Sequence, residues 1–222
     1  MYATIYHTYI LTMEIHWKEN IWETPFNCHE TSYLCPVKLN GDDELLLDIL
    51  NNSGYTSGYA TCKDAFGYGI FEWSCKFPMG SNLVFGFGLT DENNKINCVS
   101  CCTQHKVNGF LKSQAKPRFV LNNKDITSNG FAKPVWKWYI NEKRTNYFML
   151  IWTPNCIKVF YNSHCVVDVK DNNLIGLYRN CKMKPFMSLG VTGEFDKNDY
   201  IKYISTDQPF VFRNFKYTKI DE

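Results

Sequence analysis

Wherever hydrophobic and polar residues recur regularly along this chain, the period is two. Phe71, Trp73, Cys75 and Phe77 interleave with Glu72, Ser74 and Lys76, and Pro78-Met79-Gly80 ends the run with turn chemistry. Leu83, Phe85 and Phe87 follow at the same spacing. Farther on, the run 147–152, the turn residues Thr153-Pro154-Asn155 and the run 157–161 predict a hairpin, with a second turn at Asn162-Ser163. Two more strands are predicted over 186–191 and 210–217. Helical periodicity is nearly absent. The strongest candidate, the acidic and then leucine-rich run 42–51, suits a strand equally well. Strands recurring every ~8–15 residues predict an all-β protein, a sandwich or jelly roll. Residues 1–34, with Trp17 and Trp22, read as an N-terminal extension or edge strand, which leaves 35–222 as the sandwich domain.

Composition narrows this picture. A chain of 222 residues, 45% hydrophobic and 16% aromatic, suits one domain with its own core and excludes a disordered tail. The net charge of +2 lacks the basic surplus of a dedicated nucleic-acid binder. No run reaches the ~18 apolar residues of a membrane span. The first residues carry no cationic segment ahead of an apolar run, so neither a signal peptide nor membrane insertion is expected, and synthesis in the cytoplasm is. Ten cysteines without a paired spacing pattern then read as reduced, mostly buried thiols. Cys98, Cys101, Cys102 and His105 have the spacing of metal ligands, but no second ligand pair stands at matching spacing. The simpler reading places Cys98 in a strand, begins a loop at the other three, and expects no metal or other cofactor. Gly86-x-Gly88 has no helix signal after it, so it is not a phosphate loop.

Four motifs in order carry a family resemblance. Tyr55-Thr56-Ser57-Gly58, followed by Phe66-Gly67-Tyr68-Gly69-Ile70-Phe71-Glu72-Trp73-Ser74-Cys75-Lys76-Phe77-Pro78, resembles the opening strands of glycoside hydrolase family 16. The stretch from Tyr147 through Trp152-Thr153-Pro154 to Tyr161 is similar to a hairpin of the same family, and 185–193 and 212–217 fall where its last strands would. The resemblance spans roughly residues 35–218 in family order and implies a concanavalin A-like jelly roll of two antiparallel sheets.

The family's catalytic strand reads Glu-x-Asp-x-x-Glu, and the matching segment here is Lys95-Ile96-Asn97-Cys98-Val99-Ser100. Lys95, Asn97 and Ser100 thus stand where the three carboxylates would. A retaining glycosidase needs a nucleophile and an acid/base carboxyl roughly 5–5.5 Å apart. Losing the general acid alone costs roughly 10²–10⁴-fold in rate. The resemblance therefore implies a pseudoenzyme: a non-catalytic, lectin-like module that keeps a carbohydrate-binding groove for an oligosaccharide or polysaccharide. Glu72, Ser74, Lys95, Asn97 and Ser100 are expected to line that groove, with the cation of Lys95 favouring an acidic or sulfated glycan. Trp136 and Trp138, alternating with Lys137, offer either a stacking platform for sugar rings or ordinary core packing. Family members hold calcium through an aspartate of the last strand. Arg213 matches that position, so no calcium is expected there.

Two other classes remain open. One is a structural or assembly protein that uses the sandwich as a scaffold among other structural proteins, such as a viral protein on a virion surface. An AT-rich coding bias (22 Asn and 20 Lys against 4 Arg) fits that source. The other is an active hydrolase with relocated carboxylates.

Overall fold

Strand residues point alternately to opposite faces, and two sheets pack when each has one apolar face to bury. The computed structural model describes residues 10–29, 32–33, 37–41, 43–48, 50–51, 55–56, 58–77, 83–91, 96–107, 110–121, 124–125, 144–179, 181–191 and 209–220. In chain order the strands are β1 (Ile10–Trp17), β2 (Asn20–His29), β3 (Ser32–Tyr33), β4 (Val37–Asn40), β5 (Glu44–Leu47), β6 (Leu50–Asn51), β7 (Tyr55–Thr56), β8 (Gly58–Cys62) and β9 (Gly69–Lys76). They continue as β10 (Leu83–Thr90), β11 (Ile96–Val107), β12 (Phe110–Leu121), β13 (Lys124–Asp125), β14 (Asn146–Trp152), β15 (Ile157–Tyr161), β16 (His164–Val169), β17 (Lys184–Val191) and β18 (Phe210–Lys219). A five-residue helix, α1 (Asn172–Gly176), precedes β17 and is capped by the Asp171 carboxylate.

The strands form two antiparallel sheets. The larger has nine strands in the order β1-β2-β8-β17-β10-β11-β12-β13, with β3 added beside β2. The smaller has seven in the order β16-β15-β14-β9-β18-β5-β4, and β6 and β7 pair separately. Within the run 42–51, Glu44–Leu47 and Leu50–Asn51 are strands, β5 and β6. The N-terminal residues form a hairpin whose second strand joins β8 at Trp22↔Cys62, and Trp17 and Trp22 are buried in the common core.

That core is aromatic and lies between the sheets. From the seven-stranded sheet, β9 contributes Phe71, Trp73 and Cys75, β14 contributes Phe148, Leu150 and Trp152, and β18 contributes Phe210, Phe212 and Phe215. From the nine-stranded sheet, Phe87 of β10 meets Trp73 at 5.6 Å and Phe148 at 4.8 Å between ring centroids. Trp22 of β2 meets Phe215 edge-on at 5.2 Å. Aromatic pairs in such tilted and edge-to-face arrangements gain about 0.5–1.5 kcal/mol beyond the area they bury.

The hairpins follow turn chemistry. Asn162 and Ser163 have φ of 43° and 70°, the left-handed pair that a two-residue hairpin between β15 and β16 requires. Gly69 answers a different need. The ring of Tyr217 lies across it, donating its hydroxyl to Tyr68 O at 3.0 Å. A Cβ on Gly69 would collide with that ring and stand 2.7 Å from Thr218 O. Gly69→Ala is therefore expected to destabilise the fold by about 1–3 kcal/mol, read as a lower urea midpoint. A midpoint equal to that of the parent would contradict this packing.

Candidate functional site

The expected groove residues do not come together. Glu72 and Ser74 belong to β9 in the seven-stranded sheet, whereas Asn97 and Ser100 lie in β11 of the nine-stranded sheet. Because β9 and β10 enter different sheets, the chain crosses the sandwich between Ser74 and Asn97. Alternation identifies which residues of a strand share a face, but not which sheet the strand joins. Lys95, Trp136 and Trp138 lie outside the described residues.

On β9, Phe71, Trp73 and Cys75 turn into the core, which sends Glu72 and Ser74 to the outer face of the seven-stranded sheet. The ladders set Glu72 opposite Met149 of β14 and Lys216 of β18, and Ser74 opposite Tyr147 and Asn214. Phe160 of β15 stands beyond Met149. Glu72, Ser74, Tyr147, Met149, Phe160, Ser163 and Asn214 line a pocket of about 280 Å³, with Lys216 outside its lining. Tyr147 is 61% exposed, and its backbone N–H donates to Asn162 Oδ1 at 2.9 Å, tying the pocket rim to the left-handed turn. Sequence reasoning missed Tyr147, Phe160, Ser163 and Asn214. Their one signal is β14, which is apolar on both faces although one face is open to solvent.

The nine-stranded sheet presents a different outer face. Phe87 and Leu89 of β10 point inward, so Gly86 and Gly88 take the opposite face, where they, Thr90 and Phe186 are nevertheless buried. Directly opposed residues of an antiparallel ladder share a face. One cross-strand row therefore runs Tyr59–Ser188–Gly86–Cys101–Arg118, and the next includes Val84, Thr103 and Lys116. Asn97 and Ser100 pair instead with Leu89 and Phe87, the core-facing positions, across a bulge after Gly88. Tyr59 stacks on Phe186 at 6.1 Å, and burial pushes the Tyr59 hydroxyl pKa up. Glycines inside a strand let another backbone or a ligand approach closely. The residues of β8, β17, β10, β11 and β12, five adjacent strands, include no Asp or Glu, but do include Lys106, Lys112, Lys116, Arg118 and Lys184.

Cys98, Cys101, Cys102 and His105 all lie within β11, so the loop expected after Cys98 is instead a continuous strand paired with β12. Among the described residues no His, Cys, Asp and Glu cluster could hold a metal ion, and no helix is long and apolar enough to cross a membrane. Cys62, Cys75, Cys156, Cys165 and Cys181 are free thiols. Burial pushes Cys62 up to about 11 and Cys75 well above the ordinary thiol value, whereas Cys181 is exposed. Arg213 sits in a bulge of β18, where its guanidinium donates to Glu44 Oε1 at 2.9 Å and to Thr145 Oγ1 at 2.8 Å. The Asn40 amide and this guanidinium hold the Glu44 carboxyl below its usual pKa.

The whole architecture matches solved structures of family 16 type. A Bacillus licheniformis β-glucanase superposes with a TM-score of 0.59 at 13% identity, over 94% of this chain and 98% of its own. A prokaryotic β-1,3-1,4-glucanase (lichenase) from a mouse hindgut metagenome gives 0.58 at 12% identity, over 92% and 96%. A laminarinase from Flavobacterium sp. UMI-01 gives 0.53 at 17%, over 83% and 82%. Neither a family model nor a curated protein sequence matches the chain. The fold is the all-β, concanavalin A-like jelly roll of two antiparallel sheets, as the resemblance implied.

Two measurements test these local assignments. The Glu44 carboxyl has a lowered folded pKa, so its contribution to stability is complete above the unfolded value of about 4.5 and is lost as pH falls through the folded value. Glu44→Gln should lose less stability than the parent on acidification from about pH 6 to about pH 3. Identical losses would place the acid-sensitive group elsewhere. Native-state alkylation followed by peptide mapping should label Cys181 and spare Cys62 and Cys75; the reverse order would contradict the burial assigned to them.

Proposed function

We propose that the protein is a non-catalytic glycan-binding module that takes an anionic saccharide on the outer face of the nine-stranded sheet. The observation that carries this reading is the absence of any Asp or Glu from five adjacent strands, β8, β17, β10, β11 and β12. Glycoside hydrolysis in its usual form needs two carboxyls flanking the scissile bond, and these strands supply neither an acid nor a nucleophile. Their basic residues instead favour carboxylate or sulfate groups, which Arg can grip with two parallel hydrogen bonds. Lys95, outside the described residues, directly precedes β11 in sequence and carries a further positive charge.

Kinship of fold supports a saccharide as the ligand. The structural neighbours include a glucanase, a lichenase and a laminarinase, and a Bacteroides ovatus family 16 protein (TM-score 0.51, 14% identity) was solved with an oligosaccharide product bound. The ladder register runs from Tyr59 and Ser188 through Gly86 and Cys101 to Arg118, with Lys116 two positions before it on β12.

The purified protein should release no reducing sugar from β-1,3- or mixed-linkage glucans. On a glycan array it should prefer sulfated or uronate oligosaccharides, with affinity falling as salt rises. The double variant Lys116→Ala/Arg118→Ala, and Lys95→Ala separately, should each weaken that binding about tenfold or more, ~1.4 kcal/mol. Turnover of any of these glucans would overturn the non-catalytic reading. Array binding indifferent to glycan charge, or to all of these substitutions, would remove the anionic face and leave the scaffold role.

A further inference from the structure

The pocket above Glu72 lies on the opposite side of the sandwich from the face just described, and it has an unusual property. Some polar side chains of the seven-stranded sheet are engaged, Arg213 with Glu44 and Thr145, and Asn40 with Glu44. Among the described residues, no hydrogen bond or ion pair engages the side chains of Glu72, Ser74, Ser163 or Asn214. Four polar side chains thus converge on about 280 Å³ with their hydrogen-bonding capacity unspent. Beside them stand the 61% exposed ring of Tyr147 and the half-buried side chains of Met149 and Phe160.

We propose that this pocket is a second saccharide site, one that takes a neutral sugar unit independently of the nine-stranded face. The ligand class follows from what the lining can exchange. The carboxylate of Glu72 only accepts hydrogen bonds, while Asn214 and the two serines both donate and accept. A matching ligand must offer several adjacent groups that do both, which is what vicinal hydroxyls on a ring provide. Tyr147 and Phe160 supply an apolar surface for the C–H face of the same ring. Lys216 stands directly across the ladder from Glu72 but outside the pocket lining, so it offsets only part of the carboxylate's charge. The volume is just below the ~300–1,000 Å³ of typical ligand pockets, which limits the occupant to a short saccharide.

The pocket is built to be stable without a ligand. Ser74 and Glu72 lie on a central strand that pairs with β14 and β18 on its two sides. Ser163 is set by the left-handed turn that also holds Tyr147 through Asn162. Ordering costs on binding are then small, which allows a few hydrogen bonds to give measurable affinity.

The test is titration of glucose, laminaribiose and cellobiose into the full chain, followed by two-dimensional NMR, in buffer with about 0.5 M salt to screen the basic face. Saturable shifts at β9, β14 and β18 are expected with at least one disaccharide. Glu72→Gln, Asn214→Ala and Tyr147→Ala should each weaken binding about tenfold, whereas Lys116→Ala/Arg118→Ala should leave it unchanged. Melting temperatures close to that of the parent confirm that the three pocket variants fold. No saturable shift with any of the three sugars overturns the proposal. So does binding that survives Glu72→Gln and Tyr147→Ala, or that disappears with Lys116→Ala/Arg118→Ala. Preferential binding of methylammonium would instead make the pocket a cation site, and overturns it as well. Loss of anionic-glycan binding in the earlier experiment, with neutral-sugar binding retained here, would separate the two sites.

Discussion

The sandwich depends on the aromatic layer between its sheets, and within that layer on Phe87. It is the ring from the nine-stranded sheet that reaches Trp73, Phe148, Phe210 and Phe212 of the other sheet. Those four come from β9, β14 and β18, strands far apart in sequence, so one side chain joins three strands of the opposite sheet. Truncating a buried Phe of this kind costs about 3–5 kcal/mol, a large part of a domain's net stability. Gly86 and Gly88 flank Phe87 on the same strand, and their outward positions follow from its inward one. The ring that closes the core thus also fixes which part of β10 faces outward without side chains.

A two-sheet sandwich gives each strand an inner and an outer set of residues, and this division explains how much the sequence revealed. The alternation of Phe71, Trp73 and Cys75 with Glu72 and Ser74 identified β9 and its inner face correctly, because burial enforces the period. The turn at Asn162-Ser163 was legible because Asn readily adopts positive φ. The assignment of strands to sheets was not legible. Phe71 and Phe87 carry the same signal, yet they belong to opposite sheets, and so Glu72 and Asn97 were expected on one groove. β11 and β12 were hidden for another reason. Cys101-Cys102-Thr103-Gln104-His105 lacks large apolar residues at alternating positions, and Pro117 interrupts its partner. Pro117 lies on a stretch of β12 that β13 does not reach, since β13 pairs only with Val120 and Leu121. A proline without an N–H is tolerated where no outer neighbour asks for one.

The pocket partners were invisible for a third reason. Tyr147, Phe160 and Asn214 are brought to Glu72 and Ser74 by strands 70 to 140 positions away, and no local pattern records that. What the sequence does contain is an excess: β14 is apolar at both parities, with Tyr147, Met149 and Ile151 on the side that a sandwich leaves to solvent. Of these, Tyr147 is exposed, while Met149 and Ile151 are half-buried.

Charge placement also bears on the remaining alternative, a hydrolase with its carboxylates moved to a new strand. The carboxylates on the strands of the seven-stranded sheet are Glu44, Glu72 and Asp168, on β5, β9 and β16. β5 is two strands from β9, and β16 is three. At about 4.7–4.9 Å per strand, those backbones lie roughly 9–10 and 14–15 Å from that of Glu72. A retaining pair needs carboxyls about 5–5.5 Å apart and an inverting pair about 6.5–9.5 Å. Glu44 is moreover held by Arg213 and Asn40, which fix it on its own strand. Glu72 is thus the one carboxylate in the pocket lining, beside the hydroxyls of Ser74 and Ser163, the Asn214 amide and the rings of Tyr147 and Phe160.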